Sequence, residues 1–496
     1  MYFKEVYYMD TSVYHSPFDG RYTSPQMNRI FSDDRKFSTW RRLWIALAKA
    51  EKELGLNITD NQIAEMEKYA DDINYDVANS REKEVRHDVM AHVYAFGQQA
   101  KSAAGIIHLG ATSCYVTDNT DIINIRDALK LVRSKLLGVI QFLTNFSIRY
   151  KRQPTLGYTH YQSATPTTIG KRASLWLQNF AANLEELNFV LSQLKMLGCR
   201  GATGSSETFM KLFHGDEDKC KLLEKLIATE FGFIDDNGEP IVYPVSGQTY
   251  PRNLDYQVLN VLAAIAASAH KMALDIRLLQ HDKELEEPFS KSQIGSSAMP
   301  YKRNPMRCER ICGIARYLGG LPTMAWQTAA LQMIERTLDD SAGRRIYIPD
   351  AFRAADAILI LCSNVVDGIV VNLGIIDAHL NAEIPFMAAE AIIMKAVEKG
   401  ADRQVVHSRV REHSLILGRA VKDGAISADR VKNEMAFRIN DDPLIPLNCN
   451  EVYDLFDAFQ LIGRCSGQVN DYLNEIIFPI LDSETEEIAF DTIVEV

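Results

Sequence analysis

The sequence contains no Cys-x-x-Cys pair and no His-Glu-x-x-His string. His87 and His92 stand five apart, a poor ligand spacing on a helix. No catalytic metal is expected. The eight cysteines, at 114, 199, 220, 308, 312, 362, 449 and 465, fall at irregular intervals. They read as reduced thiols of a cytosolic protein. Positive charge is also scarce: 54 Lys and Arg against 65 Asp and Glu leave a net charge of −11. Such a balance argues against nucleic acid or a membrane surface as partner, since both call for a broad basic face.

Targeting signals are missing as well. The first ten residues, MYFKEVYYMD, hold no apolar signal core, and Asp10 and Asp19 sit where a transit peptide avoids acids. A cytoplasmic location is expected. The most apolar stretch, 357–376, is interrupted by Asn364, Asp367 and Asn372. It reads as a buried helix and a turn, and a membrane span is not expected. No internal repeat or low-complexity tract is seen.

What the chain has in quantity is helical periodicity. Ile122, Ile125, Leu129, Val132, Leu136, Val139 and Leu143 recur at steps of three and four. Ile169, Ala173, Trp176, Phe180, Leu184, Leu187, Leu191 and Leu194 do nearly the same, as do Val258, Leu262, Ile265, Ala269, Met272, Ile276 and Leu279. Each stripe spans roughly 30 Å or more of helix at 1.5 Å per residue. With two further apolar segments, 306–334 and 341–370, they predict an all-α chain built on a central five-helix bundle. At 496 residues the chain exceeds one simple core. The expected division is 1–112, 113–371 and 372–496, the outer two made of shorter helices with polar loops.

Several stripes are apolar on more than one face, and Ala263, Ala264, Ala266 and Ala267 permit close approach on a second side. A tight core within one chain explains this. Bundles of several subunits packed together explain it better, because long helices expose more area than one layer of neighbours covers. Asn237-Gly238 and Asp442-Pro443 mark turns, and the acidic run 482–487 reads as solvated surface.

Four polar clusters punctuate the helices. They are Arg86-His87-Asp88, Gly110-Ala111-Thr112-Ser113, Thr159-His160-Tyr161-Gln162, and the segment 295–310, GSSAMPYKRNPMRCER. The second and third each form a turn leading into a long helix, at one end of successive helices, where free N–H groups favour anions. Plain N-capping by Ser113 or Thr159 is the alternative. His160 sits among Thr159, Gln162 and Thr165, all able to hydrogen-bond it, and Glu309 would orient its ring if the two segments meet. A carboxylate there would make it a competent proton donor. Ser296 becomes a base only beside positive charge and N–H donors; Lys302 is the nearest cation. An ST-turn in a surface loop is the structural alternative. Lys302, Arg303, Arg307 and Arg310 lie within nine residues of an acidic chain, as suits a loop closing over a small anion.

This segment resembles the signature GSSxMPxKxN of the fumarase/aspartase superfamily of lyases, intact here as Gly295, Ser296, Ser297, Met299, Pro300, Lys302 and Asn304. Similar strings span nearly the whole chain: RHDVMAH at 86–92, AAGIIHLGATSCYV at 103–116, GYTHYQ at 157–162, SGQTY at 246–250 and ERTLDDSAGRR at 335–345. With YKRNPMR, they resemble the branch acting on succinylated purine ribotides. The resemblance implies a three-domain, mostly helical fold whose five-helix bundles form a twenty-helix homotetramer, with each active site shared among three subunits. It implies β-elimination of fumarate without metal or organic cofactor. Ser296 is then the base and His160 the acid, with Glu309 orienting it. Lys302 and Asn304 stabilise a doubly charged intermediate, and His87 assists. Arg21 and Tyr22 match a nucleotide-binding pair. Arg86, Asp88, Thr112, Ser113, Gln248, Arg310, Ser341 and Arg345 match further substrate contacts, and Thr159 flanks the acid.

Two positions depart from the family pattern. Ser163 stands where proline is common, and Gly343 where asparagine is usual. Gly343 is expected to loosen the backbone beside Arg344 and Arg345. The signature alone does not separate this branch from others such as argininosuccinate lyase. A catalytically silent structural protein on the same scaffold is a further alternative, opposed by retention of both His160 and Ser296.

Overall fold

In the computed structural model of the protein the described residues are 12–484, 488–490 and 492. Three N-terminal helices bear on the site: α1 (Asp33–Glu53), α2 (Tyr75–Val85) and α3 (Asp88–Gln99). They lead to α4 (Ser113–Tyr150), whose 38 residues span about 57 Å. The bundle continues through α5 (Ile169–Ser192), α6 (Asn253–His281), α7 (Met306–Gly320), α8 (Pro322–Ala330) and α9 (Asp339–Asp367). The segment expected as one helix over 306–334 is two. Pro322 lacks the N–H an unbroken helix would need, and it stands instead in the first turn of α8.

All seven apolar residues of the first stripe are buried, as are all seven of the third; Leu191 alone in the second stripe is only partly covered. Ile123, Leu137 and Ile140, off the α4 stripe, are buried too. This helix is therefore enclosed by its own chain, and here the intrachain explanation of a wide stripe holds. Other bundle helices differ: Leu175, Phe189, Leu274, Trp326 and Ile346 are exposed.

Contacts across the bundle fix its directions. Arg133 donates to Asn188 (2.6 Å), while Gly170 abuts Ser147 and Lys151, so α4 and α5 are antiparallel. Ser268–Asn183 (2.6 Å) and Trp176–Asp275 (2.7 Å) make α5 and α6 antiparallel. Lys135–Asp356 (2.6 Å) and Arg344–Asp121 (2.9 Å) make α4 and α9 parallel. Gln280 meets Arg303, and Cys312 meets His270, so α7 runs against α6. Hence α4, α6 and α9 start at one end of the bundle, and α5 and α7 start at the other.

Short strands occupy the second end. β1 (Pro154–Thr155) pairs with β4 (Thr167–Thr168), and between them β2 (Tyr158–Thr159) pairs with β3 (Gln162–Ser163). β5 (Leu285–Glu286) pairs with β6 (Val370–Val371). The apolar stretch 357–376 is the buried end of α9, then β6, then the start of α10 (Leu373–Met387), the helix and turn expected. Shorter helices follow as far as Phe478–Asp482.

The acidic run 482–487 is not wholly solvated: Glu484 forms two hydrogen bonds with Arg133 on α4, at 2.6 and 2.8 Å. Residues 485–487 lie outside the described residues. The turn at Asn237-Gly238 is present, with Gly238 at φ +77°.

Charge is buried in two places. Lys135 reaches Asp356, which also accepts from the Ser24 N–H (2.7 Å) and hydroxyl (3.1 Å). At the first end, Arg252 pairs with Asp118 (2.8 Å) and Asp340 (2.7 Å), while Arg344 pairs with Asp255 (2.6 Å). The Tyr250 hydroxyl donates to Asp255 at 2.6 Å.

One buried acid lacks such partners. Glu51 on α1 is 0% exposed, and neither carboxylate oxygen has a hydrogen bond among the described residues. Burial pushes its pKa from 4.5 up to about 8. The folded chain holds this proton where the unfolded chain releases it, so stability falls as pH rises through that window. Glu51→Gln is expected to stabilise the protein by about 3 kcal/mol more at about pH 8 than at about pH 5, read from urea unfolding midpoints.

Candidate functional site

At the first end the sequence-predicted residues gather around the buried arginines. Thr112 is the N-cap of α4, without a side-chain capping bond, and Ser113 is its first residue. Gln248 donates from its backbone to Glu335 (3.2 Å) and from its side chain to Ala202 (3.1 Å). It accepts from the Cys114 thiol at 3.7 Å. SGQTY, ERTLDDSAGRR and the start of α4 therefore meet here. Ser341 lies in the first turn of α9, and Arg345 one turn on pairs with Asp88 at 2.9 Å.

Arg86-His87-Asp88 joins α2 to α3. Arg86 ends α2 in the left-handed region at φ 53°. His87 N-caps α3, its Nδ1 accepting from the Met90 N–H at 3.3 Å. Burial raises the Asp88 pKa, but the Val89 N–H and the Arg345 guanidinium outweigh it and hold the carboxyl below its ordinary value. Lys36 belongs here too. Burial and the charge of Arg345 lower its pKa, against Asp33, Asp88 and Asp121. Sequence reasoning missed Lys36, which lies in no string, and Arg252, Asp118 and Asp255. Acids at 118 and 121 beside the apolar stripe of α4 were the available signal.

Along the bundle, Arg21 and Tyr22 end a short turn, Phe18–Tyr22. Arg310 lies over the Tyr22 ring, 5.1 Å from its centroid. Burial lowers the Arg310 pKa, with Arg21 and Arg307 adding to the effect.

The second end holds the proton-transfer candidates. Thr159 does not cap a long helix; Thr168 caps α5, accepting from the Lys171 N–H at 3.1 Å. His160 and Tyr161 form the two-residue turn between β2 and β3, with φ 51° and 59°. Both angles positive is the turn type whose twist suits a tight hairpin. The second and third clusters are therefore at opposite ends, because α4 and α5 are antiparallel. Nor do the neighbours of His160 hold its ring: Gln162 donates to the Tyr161 carbonyl at 2.9 Å. No hydrogen bond or ion pair joins the His160 and Glu309 side chains to each other or to another described residue of the chain.

Ser296 sits in the ST-turn foreseen as the structural alternative. Its Oγ accepts from the N–H groups of Met299 (3.1 Å) and Ala298 (3.3 Å). Those donors are also what an ionised serine requires. Lys302 is exposed. Asn304 donates to the Gly295 carbonyl at 2.8 Å, so one of its N–H groups closes the loop. A Cβ on Gly295 would stand 2.1 Å from the Lys302 carbonyl oxygen. Gly343 is held within α9, where a Cβ would meet the Tyr347 ring at an ordinary 3.5 Å. The expected loosening of the backbone is not seen, because the helix runs unbroken past it.

Comparison with known proteins identifies the family and the fold. Residues 20–320 match a family model described as lyase, and residues 385–472 one described as adenylosuccinate lyase C-terminus. The adenylosuccinate lyase of Saccharomyces cerevisiae is 46% identical over 469 residues, covering 94% of this chain and 95% of the yeast protein. That of Schistosoma mansoni is 41% identical, covering 97% and 98%. Among solved structures, 3-carboxy-cis,cis-muconate lactonizing enzyme from Pseudomonas putida superposes with a TM-score of 0.79 at 23% identity, covering 93% of this chain and 99% of that one. A fumarate lyase from Mesorhizobium sp. BNC1 gives 0.75 at 22% identity, again covering 93% and 99%. These two share the fold.

The closed Gly295 loop yields a test. Gly295→Ala is expected to cut the turnover number at least about tenfold, since the loop must open to admit the methyl group. The thermal midpoint is expected to move by less than about 2 °C, the loop lying outside the core. Turnover assay and calorimetry check both.

Proposed function

The chain belongs to the adenylosuccinate lyases of the fumarase/aspartase superfamily, and from that premise we propose which residues carry each step of the elimination of fumarate from adenylosuccinate. Ser296 takes the proton from the carbon next to a carboxylate. The two N–H groups on its Oγ, with Lys302, stabilise the alkoxide form. The C–H electron pair moves into the carboxylate, giving an aci-carboxylate carbanion whose added charge faces Lys302 and Asn304. The C–N bond then breaks, the double bond of fumarate forms, and His160 gives its proton to the departing nitrogen of AMP. Glu309 and His160 do not touch within one chain, so Glu309 orients His160 where neighbouring subunits meet, and His87 assists near the phosphate. The same steps release fumarate from the succinyl-aminoimidazole carboxamide ribotide.

The substrate carries a phosphate and two carboxylates. Arg21, Tyr22, Arg86, Asp88, Thr112, Ser113, Thr159, Gln248, Arg310, Ser341 and Arg345 bind it, the arginines forming paired hydrogen bonds to anionic oxygens. No described cluster of three His, Cys, Asp or Glu side chains offers a metal site.

Within one chain the Thr112–Gln248–Arg345 group and the His160–Ser296 group sit at opposite ends of helices as long as about 57 Å. A homotetramer with antiparallel neighbours brings the first end of one subunit to the second end of others, completing each site from three chains. The exposed Leu175, Phe189, Leu274 and Ile346 support this reading. The proposal divides the chain into 1–112, 113–371 and 372–496, and places the enzyme in the cytoplasm.

The observation that carries the assignment of the base is the pair of N–H donors on Ser296. Ser296→Ala is expected to lower turnover of adenylosuccinate by more than about a thousandfold, followed by absorbance, with an unchanged sedimentation coefficient. Activity surviving in this variant would refute the base assignment.

A further inference from the structure

Four residues beside β5, Glu284-Leu285-Glu286-Glu287, touch both segments proposed to move protons. Glu284 accepts from the Thr155 hydroxyl at 3.2 Å, and Thr155 lies in β1, the stem of the His160 hairpin. Its other oxygen is 2.9 Å from His379 Nδ1 on α10. Glu286 pairs with Arg303 in the Ser296 loop at 3.0 Å.

Glu287 holds the same loop at its root. Its carboxylate accepts the N–H groups of Arg307 and Cys308, each at 3.0 Å, and so caps α7 from twenty residues away. Its own N–H donates to Gln280 (3.1 Å), and the Gln280 side chain donates to the Arg303 carbonyl (3.1 Å). Loop 288–305 therefore leaves Glu287 and returns to it. Both Glu284 and Glu287 are at most 2% exposed. A solvated ion pair holds little, whereas a buried carboxylate receiving helix N–H groups fixes a position. Burial pushes the Glu287 pKa up, against the Arg307 and Cys308 N–H groups.

We propose that Glu284 and Glu287 are positioning residues for the elimination, Glu284 setting the hairpin that carries His160 and Glu287 the loop that carries Ser296. This rests on the roles given to Ser296 and His160 above. The two glutamates exchange no proton with substrate. Each governs one half of the reaction, and β5 is the ruler between them.

The test uses the full-length enzyme with adenylosuccinate, unlabelled and deuterated at the carbon that loses its proton. Glu287→Gln puts an NH2 group against two N–H donors. It is expected to lower kcat about 10- to 100-fold, leave KM within about twofold, and enlarge the deuterium isotope effect, because C–H cleavage becomes slower. Glu287→Asp restores part of the rate. Thr155→Val removes the donor to Glu284 and is expected to lower kcat while shrinking the isotope effect, because protonation of nitrogen becomes slower. If Glu287→Gln does not fold, Thr155→Val decides by the same readout. Wild-type kcat in both variants, or equal losses with an unchanged isotope effect, overturns the proposal. Full turnover in Ser296→Ala instead removes the base assignment. An inactive Ser296→Ala beside unaffected Glu287→Gln and Thr155→Val removes the positioning proposal alone.

Discussion

The architecture depends on two arginines buried among aspartates. Arg252, at the N-cap of α6, and Arg344, in α9, bind acids from α4, α6 and α9 with almost no access to water. Isolated charges there would be very costly, so each carboxylate requires its guanidinium and the helix that brings it. Hydrophobic stripes allow long helices to slide by a turn; a paired buried charge does not. The network thus sets the register of α4, α6 and α9. Burial pulls the Asp118 pKa up, yet Arg252 and Arg344 hold it below its ordinary value, so the acid stays charged and the pairing intact. Two of the six strings that carry the family resemblance enter this network, SGQTY through Tyr250 and ERTLDDSAGRR through Asp340 and Arg344. They therefore encode bundle assembly as well as the substrate contacts proposed for them.

Register at one end transmits to the other through helices that do not bend easily. The Ser296 loop hangs from the start of α7, and the His160 hairpin from the start of α5. Both depend on where α6 places β5. The distal charge network, the bundle and the short strands thus form one mechanical chain, with the residues proposed for the chemistry at its ends.

The core was legible in the sequence because burial in a helix is periodic. Ile122 through Leu143 announce their own face without reference to any other segment. The site residues were legible as strings for a different reason: their types are unusual together. Their arrangement was not legible. Asp88 meets Arg345 across 257 positions, and no local pattern encodes such a contact. Nor was it legible that Ser113 and Thr159 lie at opposite ends of the bundle, since α4 and α5 run antiparallel, or that a hairpin separates Thr159 from the helix it precedes. The break between α7 and α8 was signalled by Pro322. The hairpin was hidden because His160-Tyr161 lacks the Asn-Gly pair that marks such turns, and the surrounding strands impose the conformation.

That turn has a consequence for how the protein can change. His160 and Tyr161 both occupy the left-handed region, where a side chain costs about 1–2 kcal/mol relative to glycine. The hairpin would fold more readily with glycine at its tip, but it would lose its proposed proton donor. Selection for durability and selection for turnover therefore pull in opposite directions at this one backbone position. A lineage released from the need to catalyse would be expected to lose its histidine here first, gaining a sturdier fold as it did so.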